Sequence, residues 1–350
     1  MKLTAVRYRA EVRRGSGLAL EATHHVTVIG WDESSEQTQK AATGSIVSEH
    51  DWKTCIRSGS KPFQALPLIE RGHADRFGLN TRELAIMCAS HSGSRQHVET
   101  VRGILKKIGA EEKDLLCGFH HPYDLEMSAY THSHPEDHSA VYNNCSGKHS
   151  GMLALAVAEG WPIKDYVEFE HPVQRACVRA IAEVCGETGE PPLVVDGCSA
   201  ANPTLLLSAM ARGFYRFAKA ASDSSSVRER SLARIRQAMA GHPRLVAGEG
   251  RLDTDLMAKS GGELVAKTGA EGIQCVAIPS RGVGLVVKQH DGGERAKAPA
   301  LMEFLDANEL LSSATASRLG RWRRPRLTNH RGKVVGEVKL ELEPVPAQAS

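Results

Sequence analysis

The sequence predicts an α/β or α+β protein: a central β-sheet whose strands come from both ends of the chain, backed by a helical layer. Three observations carry this. A period-2 alternation of apolar residues opens the chain, a 3.6-residue periodicity dominates roughly residues 97–260, and short β-branched runs return after residue 262. The domain expected is a single unit over residues 1–340, followed by a short tail at 341–350.

Each element has a local signature. LEATHHVTVIGWD (20–32) alternates as an early strand, and PFQALPLIERG (62–72) reads as a helix that starts one turn after a Ser-Lys pair. HVETVRGILKKIG (97–109) has helical spacing and a glycine stop. Residues 117–150 turn loop-like and rich in histidine, after which MLALAVAEG opens another helix. PVQRACVRAIAEVCGE (172–187), NPTLLLSAMARGFYRFAKA (202–220) and VRERSLARIRQAMAG (227–241) continue the helical part, the last two separated by a serine run at 222–226 that reads as a turn. PLVVDG (192–197), GELVAKTG (262–269), IQCVAIP and GVGLVVKQ read as strands, the last two as a hairpin.

Composition excludes several classes of function. With 350 residues, 41% hydrophobic and 24% charged, the chain has the balance of a globular protein able to bury a sizeable core. The opening MKLTAVRYRAEVRRG holds no apolar core of signal-peptide length and no long apolar run follows, so a cytoplasmic protein without membrane spans is expected. A net charge of +3 is too small to imply an acidic partner. The one basic cluster, RLGRWRRPR (318–326), carries a single Trp and reads as a solvated segment, so no nucleic-acid partner is expected. The eight cysteines are scattered without CxxC pairs, which favours free thiols or metal ligands over disulfides.

Chemistry begins at RSGSKPFQALP (57–67). Ser58 and Lys61 form a Ser-x-x-Lys, and in a helical turn the two side chains share one side. A chain of this length shows about one such spacing by chance, so the pair alone decides nothing. A serine hydroxyl is a poor nucleophile until something takes its proton, and a lysine can do so only as the neutral amine. Enzymes of this kind add a second serine-bearing loop and a Lys-Thr-Gly strand. Both have candidates in the right order: Ser90 in CASHSG (88–93) and Lys267 in the Lys-Thr-Gly that ends a predicted strand.

Two further stretches, NNCSGKHSGM (143–152) and VDGCSAANP (195–203), join RSGSKPFQALP, CASHSG and AKTGAEG (266–272) in a set of five that resembles the rhizobial-type, or class 3, L-asparaginases. The opening RRGSGLALEATHHVTV (13–28) is similar to that family's start. The resemblance implies a fold like that of serine β-lactamases and serine glutaminases, hydrolysis of L-asparagine to L-aspartate and ammonia, a homodimer, and a zinc ion near the active site. Matched position by position, it implies Ser58 with Lys61 as one Ser-Lys tandem and Ser90 with Lys267 as the second. Ser58 is expected to attack, Lys61 to take its proton, and Ser90 with Lys267 to relay it. Cys145, Lys148 and Cys198 match zinc ligands, Asp196 matches a carboxylate beside them, and Arg57, His149 and Asp196 are the candidates for contact with substrate. The sequence departs from the family at Ser199-Ala200-Ala201, where a glycine tends to follow the second cysteine.

The histidines at 120, 121, 132, 134 and 138 read as surface or loop-packing residues, because they show no fixed helical spacing. The motifs leave two rivals to an asparaginase. One is a penicillin-interacting serine hydrolase that shares the same three motifs, and the other is a non-catalytic amino-acid-binding protein on the same scaffold.

Overall fold

The structure, a computed structural model, describes residues 5–15, 19–41 and 50–343. Residues 16–18 of the opening motif and 344–350 of the expected tail lie outside the described residues.

Ten strands are present among the described residues: β1 (Val6–Arg14), β2 (Ala19–Trp31), β3 (Lys53–Cys55), β4 (Leu193–Val195), β5 (Ala201–Leu206), β6 (Val265–Gly269), β7 (Ile273–Ile278), β8 (Val283–Gln289), β9 (Arg326–Thr328) and β10 (Val334–Leu342). Seven of them form one sheet in the order β6-β7-β8-β2-β1-β10-β9. Every pairing in it is antiparallel, so α+β is the class, and the sheet does draw its strands from both ends of the chain. β10 pairs with β1 up to Leu342, so the first residues assigned to the tail belong to the sheet.

Helices cover both faces of this sheet, one face more than the sequence predicts. On one face the helix Leu207–Lys219 packs across β2, β7 and β8; on the other, the helix Lys297–Ala307 packs against β2, β8 and β10. Cys275, Ala277 and Val286 point into the first core, whereas Val276, Ile278, Leu285 and Val287 point into the second. Two covered faces explain why β7 and β8 are buried along their whole length and read as continuous apolar runs rather than as an alternation. Gly284 lets the first helix approach so closely, since a Cβ there would fall 2.0 Å from the backbone nitrogen of Tyr215.

The helical part holds Arg95–Ile108, Pro172–Cys185 and Val227–Gly241, close to the predicted spans, and Ser146–Glu159, which begins six residues before the predicted MLALAVAEG, inside the stretch expected to be loop-like. Gly109, Gly160 and Gly186 end three of them in left-handed conformation, and Ser226 of the serine run caps the fourth by accepting from the Glu229 amide. Two further corrections apply. Residues 202–206, predicted as the start of a helix, form β5, which pairs with β3 and β4 in a separate three-stranded sheet. The histidine-rich stretch contains a helix, Leu125–Ser133, capped by Asp124. In the basic segment, Arg321 pairs with Asp255, and Arg323 with Glu303 and Asp306. No helix among the described residues is long and apolar enough to cross a membrane.

Candidate active site

The small sheet sets up the first half of the site. β3 leads directly into the turn Arg57–Ser60, and the loop between β4 and β5 carries Asp196 and Cys198, so pairing both strands with β5 brings the two connections together. Asn202 of β5 accepts from the Arg57 amide at 3.1 Å, and Arg57 Nε donates to Asp196 Oδ1 at 2.8 Å. Arg57 stands at φ 52°, a left-handed backbone that L side chains adopt at a cost and that recurs at functional turns. Ser58, next in the chain, is half-buried, and its hydroxyl hydrogen-bonds to no other described residue.

Lys61 turns to a different serine. Its amine is fully buried and lies 3.0 Å from Ser90 Oγ, 2.5 Å from the Ala89 carbonyl and 3.5 Å from the Asn144 carbonyl. Three acceptors match the three N–H bonds of an ammonium. Ser90 reaches this point because the helix Thr81–Met87, locked by an Asn80/Glu83 capping box, ends just before it, and its amide then donates to the Val246 carbonyl.

Lys267 approaches Ser90 from the opposite side, on β6. Its amine, also fully buried, lies 2.9 Å from Ser90 Oγ, 2.7 Å from the Thr268 carbonyl and 3.9 Å from Asp253 Oδ2. Burial pushes the Lys267 pKa down to about 7; Asp253 works against that shift and Lys61 adds to it. A lysine in that range gives up its proton near neutral pH. The structure therefore brings both lysines of the two expected tandems to one hydroxyl, that of Ser90.

The thiols form the second half. Cys145 stands at the N-terminus of the helix Ser146–Glu159, which also carries Lys148 and His149. Gly147 lets that helix lie against the end of Thr81–Met87, for a Cβ there would meet the Ile86 carbonyl oxygen at 2.2 Å. Lys148 Nζ is 2.8 Å from Cys198 Sγ, and Asp196 Oδ2 is 3.8 Å from the same sulfur. The neighbouring Cys145 thiol, with help from Lys148 and against burial, holds Cys198 far below the ordinary thiol range. Cys145 is raised well above it by that same interaction and by burial. Burial pushes the Lys148 pKa down, but Cys198, Cys145 and Asp196 together outweigh it and leave the amine above its ordinary value. Tyr166 OH accepts from the Leu116 amide at 3.0 Å and sits 2.7 Å from His149 Nδ1, whereas His149 Nε2 is buried with no hydrogen-bond partner. Among the described residues no three His, Cys, Asp or Glu side chains cluster as a metal centre. The set implied by the resemblance is two thiols and a lysine amine, with the His149 imidazole interacting with one of those thiols, Cys198. These donors suit a soft divalent cation such as zinc.

Arg57 and Asp196 join the halves: Arg57 adjoins Ser58, Asp196 grips Arg57, and its other oxygen faces Cys198. Ser199 has φ 71°, the backbone conformation in which glycine is favoured, so the departure from the family motif falls on a strained position.

Several contributors were not legible in sequence. Asp253 sits outside every motif, and the Ala89 and Asn144 carbonyls act through backbone. The histidine-rich stretch reaches the site through His120, whose Nε2 accepts from the Asn144 amide at 2.9 Å while Nδ1 lies 2.8 Å from the His121 carbonyl. His91, inside CASHSG, is wholly buried and accepts from the Gly93 amide at 3.2 Å, and burial keeps it neutral. Its place between two motif serines was the available signal.

A profile of the L-asparaginase II family matches residues 10–340. The chain belongs to that family. The match spans both terminal parts of the sheet and every residue of the two half-sites. Among curated proteins, none matches the chain in sequence. Membership of the L-asparaginase II family supports asparaginase activity in general.

Proposed function

We propose that the protein is an L-asparagine amidohydrolase that works through a serine acyl-enzyme. The observation that carries the reading is the Ser90 hydroxyl held between two buried amines, at 3.0 and 2.9 Å, one of them from Lys61 on the same strained turn segment that carries Ser58. Ser58, the more open hydroxyl, attacks the side-chain carboxamide carbon of asparagine. Its proton passes to Ser90, which hands its own to the neutral amine of Lys267, while Lys61 as the ammonium stabilises the Ser90 oxygen. The C–N bond then breaks, the same relay returns the proton to the leaving nitrogen, and ammonia departs. Water resolves the ester by the reverse route and releases L-aspartate.

Arg57 suits the substrate carboxylate, and Asp196 with His149 borders the same space. Cys145, Lys148 and Cys198 would hold zinc, with His149 beside them, and the bound ion would supply fixed positive charge that orders this loop and helps place substrate. Lys148 would join such a site only after losing its proton. The reading has the protein as a cytoplasmic homodimer, and sedimentation of the full chain tests the oligomer.

Ammonia release from L-asparagine, measured beside L-glutamine and a chromogenic β-lactam, tests the function. Asparagine turnover alone is expected; β-lactam turnover would favour the penicillin-interacting rival, and saturable asparagine binding without turnover the binding protein. Ser58→Ala should abolish the covalent adduct seen by mass spectrometry with a reactive asparagine analogue, while Ser90→Ala should still form it slowly. An adduct on Ser90 in the unaltered protein would reverse the two roles.

A further inference from the structure

Asp253 is a buried carboxylate that the proton relay does not use. It lies on the helix Leu252–Lys259, is 2% exposed, and belongs to no motif. Its Oδ2 accepts from the Thr268 amide at 2.8 Å, and its Oδ1 lies 2.9 Å from Thr268 Oγ1 and 2.8 Å from Gln274 Nε2. Thr268 follows Lys267 on β6, so these bonds grip the strand one residue beyond the lysine and bring Oδ2 within 3.9 Å of Nζ.

Charge balance gives this arrangement its meaning. Around the Ser90 hydroxyl stand two fully buried amines, and Asp253 is the buried carboxylate that faces one of them. Two ammonium ions in one desolvated pocket repel, whereas two neutral amines would leave the carboxylate uncompensated. The balanced state holds one proton between the two amines, which is the state a relay needs: one ammonium to donate and one amine to accept. We propose that Asp253 is a positioning residue of the relay, which aims Lys267 through its bonds to Thr268 on β6 and balances the positive charge that Lys267 takes on with the serine proton. The proposal rests on the serine acyl-enzyme reading above.

Burial pushes Asp253 upward, but the charge of Lys267 and the bonds from Thr268 and Gln274 outweigh it and hold it below its ordinary value. The other groups facing Lys267 are Lys61, Arg251 at the start of the Asp253 helix, Cys145, Cys88 and Cys275. Burial raises the Cys88 and Cys275 thiols, and the Cys198 interaction together with burial raises Cys145. Asp253 is the strongest group working against burial at Lys267, ahead of Cys145.

The test uses the full chain labelled with carbon-13 at lysine Cε and aspartate Cγ, with the Lys267 signal assigned by its loss in Lys267→Met. In the unaltered protein Lys267 should titrate near neutral pH, and the Asp253 carboxyl signal should move with the same midpoint. Asp253→Asn keeps the shape and removes the charge, so the Lys267 midpoint should fall by about one unit or more. The acid limb of kcat/KM should move down with it, and Asp253→Glu should restore both. A folded Asp253→Asn protein with the Lys267 midpoint unchanged would overturn the proposal. If that variant does not fold, an Asp253 carboxyl signal that ignores the Lys267 midpoint in the unaltered protein overturns it equally. Failure to hydrolyse asparagine would instead sink the functional reading, since the titration needs no substrate.

Discussion

Replacing Lys267 by Met should change how stability depends on pH, by an amount the structure sets. Lys267 has a pKa of about 7 in the folded protein against 10.5 as the ordinary value, because burial disfavours its charged form. That difference corresponds to about 5 kcal/mol. Below pH 7 the folded and unfolded chains both carry the proton, so the full cost of a buried ammonium stands. Between about 7 and 10.5 the unfolded chain binds more protons than the folded one, and stability rises with pH. Above that window both are neutral and the cost is gone. Lys267→Met lacks the group, so the unaltered protein should gain up to about 5 kcal/mol relative to the variant across this window. Asp253, left without its partner in the variant, adds a change of the same sign at lower pH, since an unpaired buried carboxyl resists ionisation. The assay is urea unfolding followed by the fluorescence of the four tryptophans at pH 7, 8, 9 and 10, extrapolated to water. Parallel stability curves for the two proteins would refute the claim that Lys267 is buried with a depressed pKa.

Three other outcomes are expected. If Lys267 accepts the serine proton, kcat/KM for asparagine should fall about tenfold per pH unit below about 7, and a flat profile down to pH 5.5 would mean another group is the base. Ser199→Gly should relieve the left-handed strain at φ 71° and raise stability by about 1 kcal/mol in the same urea assay, whereas a loss of stability would show that the Ser199 side chain supports the loop. Cys145→Ser should weaken zinc binding, read by calorimetry, and raise KM more than it lowers kcat; an unchanged zinc affinity would remove Cys145 from the ligand set.

Much of this protein is written in short range. Helix ends follow from local capping: glycines 109, 160 and 186 end helices because their left-handed φ is cheap only for glycine, and Ser226 caps because its hydroxyl reaches the Glu229 amide. Strands were legible on the same short range: β2 by its alternation, and β6, β7 and β8 by short β-branched apolar runs between turn residues. The serine and lysine motifs were legible one by one, as were the two cysteines and Lys148. Tertiary structure decided which groups meet. Ser58 and Lys61 are three residues apart, yet Lys61 bonds to Ser90, 29 residues away, and so does Lys267 from 177 residues away. Residues 202–206 of β5, NPTLL, read as helix because they run without alternation into the helical LSAMARGF, and only their pairing with β3 and β4 made them a strand. Asp253 carried no signal at all: a carboxylate 14 residues from Lys267 is one acidic residue among 41 until the helix Leu252–Lys259 packs on β6 and burial turns a weak, screened attraction into one that sets a proton's place.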